Sequence, residues 1–461
     1  MFSLPKAVGP VVSPFSIAFT KPTFQRVLVL FVGSVLAVGR HTVTAALRAG
    51  SSLASGHYTD YHRVFSRARW SLWPLAKLLC GMVLALVPDG EPVVCTADDT
   101  AAQHKGKCVW GKDRHRDACR STRSHTVWVF GHKWVVLAVN VKFTFAPRPW
   151  ALPVLVALYR TPGTNKKEKR RHKTPAELAR GLMAVLLHWF PERRFILLGD
   201  GGYASHELAR FCHRHRRQLT LVSLCHPQAN LHLPPPKPKP RTARLNSPKS
   251  GKNKGGRPRV KGDKLPSPEE VVARSKRKRS VVGWYGGQKR RIEFVSGTGH
   301  WYKAGDGLVT IRWVFVHDRD GTHEDRYFYS TDPSFSPSKI VTLYTTRWSI
   351  EVTFEEVRCH LGFHTTRCWG RNSVLRTAPC LLGLFSLVCL IYHRHTRGKG
   401  TKPAPTAWYA KPQISFADAI ATVRRLLWTE TVFQHLDPDG AFQKLPAAIR
   451  RTIIQQMGAA A

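Results

Sequence analysis

Three stretches of this sequence hold carboxylates where chemistry could use them. "PVVCTADDT" is an apolar run ending in Asp98 and Asp99, and "RRFILLGDGGYAS" is another ending in Asp200 and two glycines. "YTTRWSIEVTFEEVRCHLGF", residues 344–363, carries Glu351, Glu355 and Glu356 among Tyr344, Arg347 and Arg358. Acids at the carboxyl ends of neighbouring strands converge at one edge of an α/β sheet. With a helix-borne glutamate they make an oxygen-donor set for divalent cations. Two metals about 3.5–4 Å apart activate a water or a 3′-hydroxyl and steady the leaving oxygen of an in-line phosphoryl displacement. Ion pairing on an exposed helix face would explain the third stretch taken alone, but not the two strand ends.

The elements that must position these acids follow from the pattern. Residues 344–361 read as a helix. At about 100° per residue, Tyr344, Arg347, Glu351 and Arg358 fall within roughly 60° on one face. Glu355 lies near that row and Glu356 points elsewhere. Ile350, Phe354, Val357 and Leu361 form an apolar stripe that would pack the helix down and leave the polar row facing a site. Asp98 and Asp99 end one strand. "TVWVFGHKWVVLAVNVKF" predicts a β-hairpin turning at Gly131, and "WALPVLVALYR" a further strand. Thr174-Pro175 opens a helix running to about Trp189. The Asp200 strand, a helix from Ser205 to about His215 and the strand "LTLVSLC" follow. Three strands and then alternating helix and strand is the order of a ribonuclease H-like α/β domain, shared in part with other α/β folds.

The chain has 461 residues, enough for two or three domains, with 72 Lys+Arg against 29 Asp+Glu and a formal net charge of +43. So basic a chain implies a polyanionic partner, with nucleic acid the first candidate. A membrane partner is not expected, because no basic amphipathic helix stands out. The apolar runs 27–38 and 379–392 fall short of the roughly 20 residues a spanning helix needs. Ten cysteines without a CxxC pair suit a reduced, cytoplasmic setting. His104, Cys108, His115 and Cys119 could be drawn as a zinc site, but their spacing matches no standard finger, and a basic loop accounts for them.

Residues 1–90 read as a helical, DNA-binding region. Within them "FQRVLVLFVGSVLAVGRHTVTAALRAG" fits either a helix-turn-helix with Thr42, Thr44 and Arg48 facing DNA or a plain helical hairpin. Residues 91–226 hold the first part of the α/β core. Residues 227–280 form a basic linker, in which the stretch 237–261 has ten Lys+Arg and no acid. Such a segment cannot bury a core and is expected to be disordered until it meets DNA. Its "GGRPRVKG" resembles an AT-hook, with Arg257 and Arg259 in a narrow minor groove, or it is a solvated linker. A β-rich insertion over 281–340, the glutamate helix and core completion over 341–395, and a helical region over 396–461 complete the chain.

Tyr344-x2-Arg347-x3-Glu351-x6-Arg358 resembles the Tyr–Arg–Glu–Lys signature of cut-and-paste insertion-sequence transposases of the DDE class. The fourth position is Arg358 where that family usually has Lys, which keeps the charge but changes its hydrogen-bond geometry. "DDT" and "GDGGYA" are similar to the family's two aspartate motifs, in the family's order. The resemblance implies a ribonuclease H-like core with an inserted β-rich domain, two Mg²⁺ or Mn²⁺ ions per site, and cleavage and joining of double-stranded DNA at transposon ends by a homodimer. It implies Asp99, Asp200 and Glu351 as metal ligands, with Asp98 as the alternative to Asp99. Asp99 is preferred on strand alternation and because the family places the ligand just before Thr. The resemblance also puts Tyr344, Arg347 and Arg358 against the DNA strand. The family often uses inserted aromatics to hold a flipped base, for which Trp284, Tyr285, Trp301 and Tyr302 are candidates beside ordinary core roles. A DNA-binding protein that no longer cuts, or a metal-dependent nuclease on the same fold, remains the alternative.

Overall fold

The computed structural model describes residues 2–117, 120–122, 124–236, 259–403, 410–437 and 440–459. The chain forms two compact units, one of residues 1–193 with 346–461 and the other of residues 194–345.

The first unit is built on an antiparallel sheet of β1 (Val93–Gln103), β2 (Asp113–Arg116), β3 (Trp128–Val141) and β4 (Trp150–Tyr159). β1 pairs along one edge of β3. β2 and β4 lie end to end along the other edge. No turn interrupts β3 at Gly131, contrary to the hairpin expected from the sequence. The glycine serves a close approach instead: a Cβ there would sit 1.9 Å from the Ala102 carbonyl oxygen of β1.

β4 carries Pro153, which has no N–H, and its pairing with β3 shifts register between Leu137 and Ala138. Its outward carbonyls are met by helix hydroxyls. Ser349 donates to Pro149 O at 2.7 Å and Thr353 to Ala151 O at 2.7 Å. Ser386 donates to Pro153 O at 2.8 Å. These bonds satisfy an edge that would otherwise expose bare acceptors, and they seat the helix Ser349–Leu361 against the strand. The expected apolar stripe is buried: Ile350, Phe354, Val357 and Leu361 all face the interior. The helix Pro175–Trp189 begins at a full capping box of Thr174 and Glu177.

Residues 1–90 are helical, in Lys21–Leu36, Val43–Ala49, Tyr58–Ser66 and Leu72–Leu84. They belong to the first unit and do not cluster as a separate body. The helix Lys21–Leu36 contacts the helix Phe416–Leu427, and Leu72–Leu84 contacts β4. The buried Arg424 donates to Val35 O, Ala37 O and Ala459 O at 2.7, 3.0 and 2.9 Å, closing the carbonyl end of Lys21–Leu36. Thr42 caps its helix by accepting from Ala45 N–H at 3.1 Å, whereas Thr44 and Arg48 are exposed.

Arg371–His395, at 25 residues, is longer than the apolar run suggested and is long and apolar enough to cross a membrane. It packs on β4 and on Phe416–Leu427, with Leu382, Phe385, Val388 and Ile391 buried. Core burial accounts for its apolar character.

The second unit holds β5 (Phe195–Gly199), β6 (Leu219–Leu224), β7 (Leu231–His232), β8 (Lys278–Gly283), β9 (Lys289–Lys303), β10 (Gly307–Asp318) and β11 (Arg326–Ser330). β5 and β6 are parallel, joined through the helix His206–Arg214. β11 then adds antiparallel to β6, followed by β10 and β9, and β9 also takes β7 and β8. The strands expected as an insertion thus share one unit with β5 and β6. Of the linker expected over 227–280, the described ends carry β7, the helix Pro268–Arg274 and the start of β8, and residues 237–258, including Arg257, lie outside the described residues.

Candidate active site

Successive side chains on a strand point to opposite faces, so Asp98 and Asp99 diverge. Asp98 Oδ2 accepts from Arg347 Nη1 at 3.0 Å, and the other amino group of the same guanidinium donates to Glu351 Oε1 at 2.6 Å. Asp98 Oδ1 also takes the Asp99 N–H at 2.7 Å, which fixes its rotamer. Asp99 turns the other way, to Lys133 Nζ on β3 at 2.8 Å. The carboxylate that meets Glu351 around a shared cation is Asp98, not the Asp99 preferred from the sequence.

Arg347 is held in place from below. Thr96 donates to Asn140 Oδ1 at 3.1 Å, and Asn140 Nδ2 donates to the Thr346 carbonyl at 3.3 Å. A buried amide on β3 therefore fixes the backbone next to the arginine. Its side chain is 11% exposed, that of Asp98 15% and that of Glu351 43%, so solvent reaches the cluster from the glutamate side.

Further along the same helix, Arg358 donates to the Thr100 hydroxyl, and its Nε lies 3.2 Å from His364 Nε2. That ring nitrogen is also 3.0 Å from the Ala101 carbonyl. Burial holds the His364 imidazole below its usual pKa, which keeps it neutral and able to hydrogen-bond one neighbour as donor or acceptor. Thr100 stands two positions from Asp98 on the same side of β1. Glu355 is exposed and Glu356 pairs with His360 at 3.2 Å, so neither acid joins the cluster.

The four-residue row expected on one helix is split. Pro337–Thr346 and Ser349–Leu361 are separate helices with a turn at Arg347 and Trp348. Tyr344 falls in the second unit, where its buried ring packs on Phe328 at 4.6 Å between centroids. Arg347, Glu351 and Arg358 remain together in the first unit. Asp200 lies in the second unit, directly after β5, where its Oδ1 accepts from Gly202 N–H at 2.9 Å and caps a 3-10 turn. Arg259 is exposed in the second unit.

Sequence reasoning missed Thr100, Lys133 and His364. The signal for Lys133 was present: a lone cation inside an apolar strand calls for a buried-side acid, and Asp99 is that acid. The aromatic candidates of the second unit are engaged in packing. Trp284 is buried, Tyr285 stacks on His323, Trp301 meets His206 and Tyr329, and Tyr302 lies under Lys261.

Among the described residues no group of three or more His, Cys, Asp or Glu side chains is placed to hold a metal ion. The zinc arrangement drawn from the sequence is therefore not formed by its described members, and Cys119 lies outside the described residues. Asp98 and Glu351 nevertheless fit a hard divalent cation by donor type, because both already converge on a single positive group.

A mixed α/β fold that gathers carboxylates and guanidinium groups at one strand suits an enzyme acting on phosphate esters. The chain belongs to the family of DDE superfamily endonucleases, whose profile matches residues 14–291. That match includes both aspartate motifs and ends before Glu351. No curated protein matches the sequence. Among solved structures the chain is similar to one described as a piggyBac transposase synaptic complex with hairpin DNA, determined by cryo-EM. The identity is 13%, the match covers 98% of this chain and 81% of that one, and the TM-score is 0.41.

Proposed function

We propose that this endonuclease is a DNA transposase that cuts at transposon ends and joins the freed 3′-hydroxyl to target DNA, working as a homodimer on a ribonuclease H-like core. The observation that carries the reading is the convergence of Asp98 and Glu351 on Arg347, although Arg347 and Asp98 are 249 residues apart in the chain. The strongly cationic composition suits a polyanionic substrate, and the family supplies the endonuclease class.

Asp98 and Glu351 would hold Mg²⁺ or Mn²⁺, and Asp200 is carried as a ligand by the family resemblance of its motif alone. Bound there, a divalent ion supplies charge to a developing oxyanion and lowers the pKa of a coordinated water or hydroxyl. Asp98 presents its carboxylate in a fixed rotamer because the Asp99 N–H pins one oxygen. Arg347 offsets one of the two negative charges of the acid pair, and a phosphate oxygen would compete with the acids for the same fork. Arg358 offers a second guanidinium at Thr100, where a phosphate of the bound strand would compete for it. Asp99 keeps Lys133 engaged and is assigned no catalytic part.

Nicking of supercoiled plasmid by the purified protein tests this. Nicking is expected with Mg²⁺ or Mn²⁺, none with chelator, and none from Asp98→Asn, Asp200→Asn or Glu351→Gln. A folded parent protein inert with every divalent metal would overturn the reading. Cleavage without any joining of 3′-ends to target DNA would reduce it to a nuclease.

A further inference from the structure

The edge of the first unit carries aromatic surface that no core requires. On β3, Trp128 is 44% and Phe130 51% exposed. In the β2–β3 register Arg114 lies opposite Phe130 and Arg116 opposite Trp128. Directly paired residues share a face, so two rings and two guanidinium groups stand together on one side of a two-stranded ribbon. The Arg114 guanidinium lies 4.0 Å from the centre of the Trp128 ring. On the opposite side, His115 is buried and Val129 half-buried.

The same side of the β3 pleat leads on to the acid cluster, beneath a covered stretch in which His132 and Trp134 are buried. Counting by twos along β3 leads from Trp128 and Phe130 through His132 and Trp134 to Val136, which pairs with Asp98. At a strand rise of about 3.3 Å the ribbon stands roughly 20 Å from Asp98 along β3. That is about six stacked nucleotides of one strand.

From this arrangement we infer that the outer face of the β2–β3 ribbon binds unpaired DNA, its rings stacking on bases while Arg114 and Arg116 take the phosphates. The inference rests on the DNA reading above and gives it a second surface. Exposed rings interleaved with arginines suit single strands, because every base has a π-face once it leaves the duplex. Paired bases keep those faces inside the stack. A second copy of this chain is a poorer occupant, since face-to-face docking would set Arg114 and Arg116 against their own counterparts.

The test is binding of the full chain to a labelled oligothymidylate of about twelve nucleotides, within the usual site sizes, and to a duplex of equal length. Because both rings are exposed, the double variant Trp128→Ala/Phe130→Ala should fold as the parent does, which its melting curve checks. It is expected to bind the oligothymidylate tenfold or more weaker, with duplex affinity within about twofold. Trp128→Tyr/Phe130→Tyr, which keeps a stacking ring at each position, should bind within about threefold of the parent and so separates stacking from a fold defect. Unchanged oligothymidylate binding by the alanine variant would overturn the inference. So would an equal loss on duplex, or a loss seen only with oligouridylate. If the transposase reading fails, the parent does not nick plasmid DNA or nicks it without joining 3′-ends; if this inference fails, nicking and joining persist while the single-strand affinity ignores the rings.

Discussion

Arg347→Ala removes a guanidinium that Asp98 and Glu351 share, and its effect can be bounded from the geometry. The Asp98 contact, at 3.0 Å between side chains 11% and 15% exposed, approaches a buried pair, for which losing one partner costs roughly 3–5 kcal/mol. The Glu351 contact, at 2.6 Å, reaches a side chain 43% exposed, where screening leaves about 0.2–1 kcal/mol. Between these limits, and with Asp98 still holding the Asp99 N–H, a loss of roughly 1–3 kcal/mol is expected without metal. The variant leaves two carboxylates facing each other, a better site for a divalent ion than the parent offers. Millimolar Mg²⁺ should therefore stabilise Arg347→Ala more than the parent, by about 2–3 kcal/mol if the concentration is near 100 times Kd. Thermal unfolding with and without Mg²⁺ reads both effects without any catalytic turnover. Arg347→Lys keeps a charge but not the fork, and should fall between the two. If Arg347→Ala melts with the parent and ignores Mg²⁺, the acids are not a cation site and the argument fails.

Asp98→Asn should abolish metal-dependent nicking, whereas Asp99→Asn should keep it and lose about 1 kcal/mol with its Lys133 pair; the same nicking assay compares them. Arg358→Ala should slow strand cleavage on pre-bound DNA about ten- to hundredfold, a charge-assisted contact of roughly 1.5–3 kcal/mol, while Arg358→Lys keeps much of the rate. Gly362 ends the glutamate helix at φ +63° with a Cβ position only 2.4 Å from His41 Cβ. Gly362→Ala should therefore cost at least 1–2 kcal/mol in chemical denaturation. His41, His104 and His115 are each held to a pKa of about 4, chiefly by burial, so they stay neutral when folded. The unfolded chain binds those protons near pH 6.5, so stability is full above that pH and falls as pH drops towards 4. Denaturant midpoints should show that fall, and His41→Gln should shallow it by up to about 3 kcal/mol.

The strands, the Thr174 helix start and the apolar stripe of the glutamate helix were legible because each rests on local pattern: period two, a capping box, period 3.6. The errors arose where a local signal had two physical causes. Gly131 reads as a turn, but a glycine also admits a neighbouring backbone, and the Ala102 carbonyl is that neighbour. The turn at Arg347 and Trp348 has no Gly or Pro to announce it, and Trp348 keeps near-helical angles of −58° and −17°. A helical wheel therefore runs through it and treats two helices as one. Alternation says that Asp98 and Asp99 face opposite ways, but not which way is inward. Only the long-range partners, Arg347 for one and Lys133 for the other, decide it. Which strands share a compact unit is equally non-local.

The first unit is interrupted by the second: it pauses at Arg193 and resumes at Thr346. On a ribosome adding about 5–20 residues per second, Asp98 waits roughly ten to fifty seconds for Arg347 and Glu351 to be made. Throughout that interval β4 has neither Ser349 nor Thr353 to cover its carbonyls, and the acid pair does not exist. A nascent or prematurely terminated chain of this protein holds its aspartates and much of its positive charge, but not its completed acid cluster. Assembly of the acid cluster is thereby deferred until most of the chain has left the ribosome, and a truncated product lacks it.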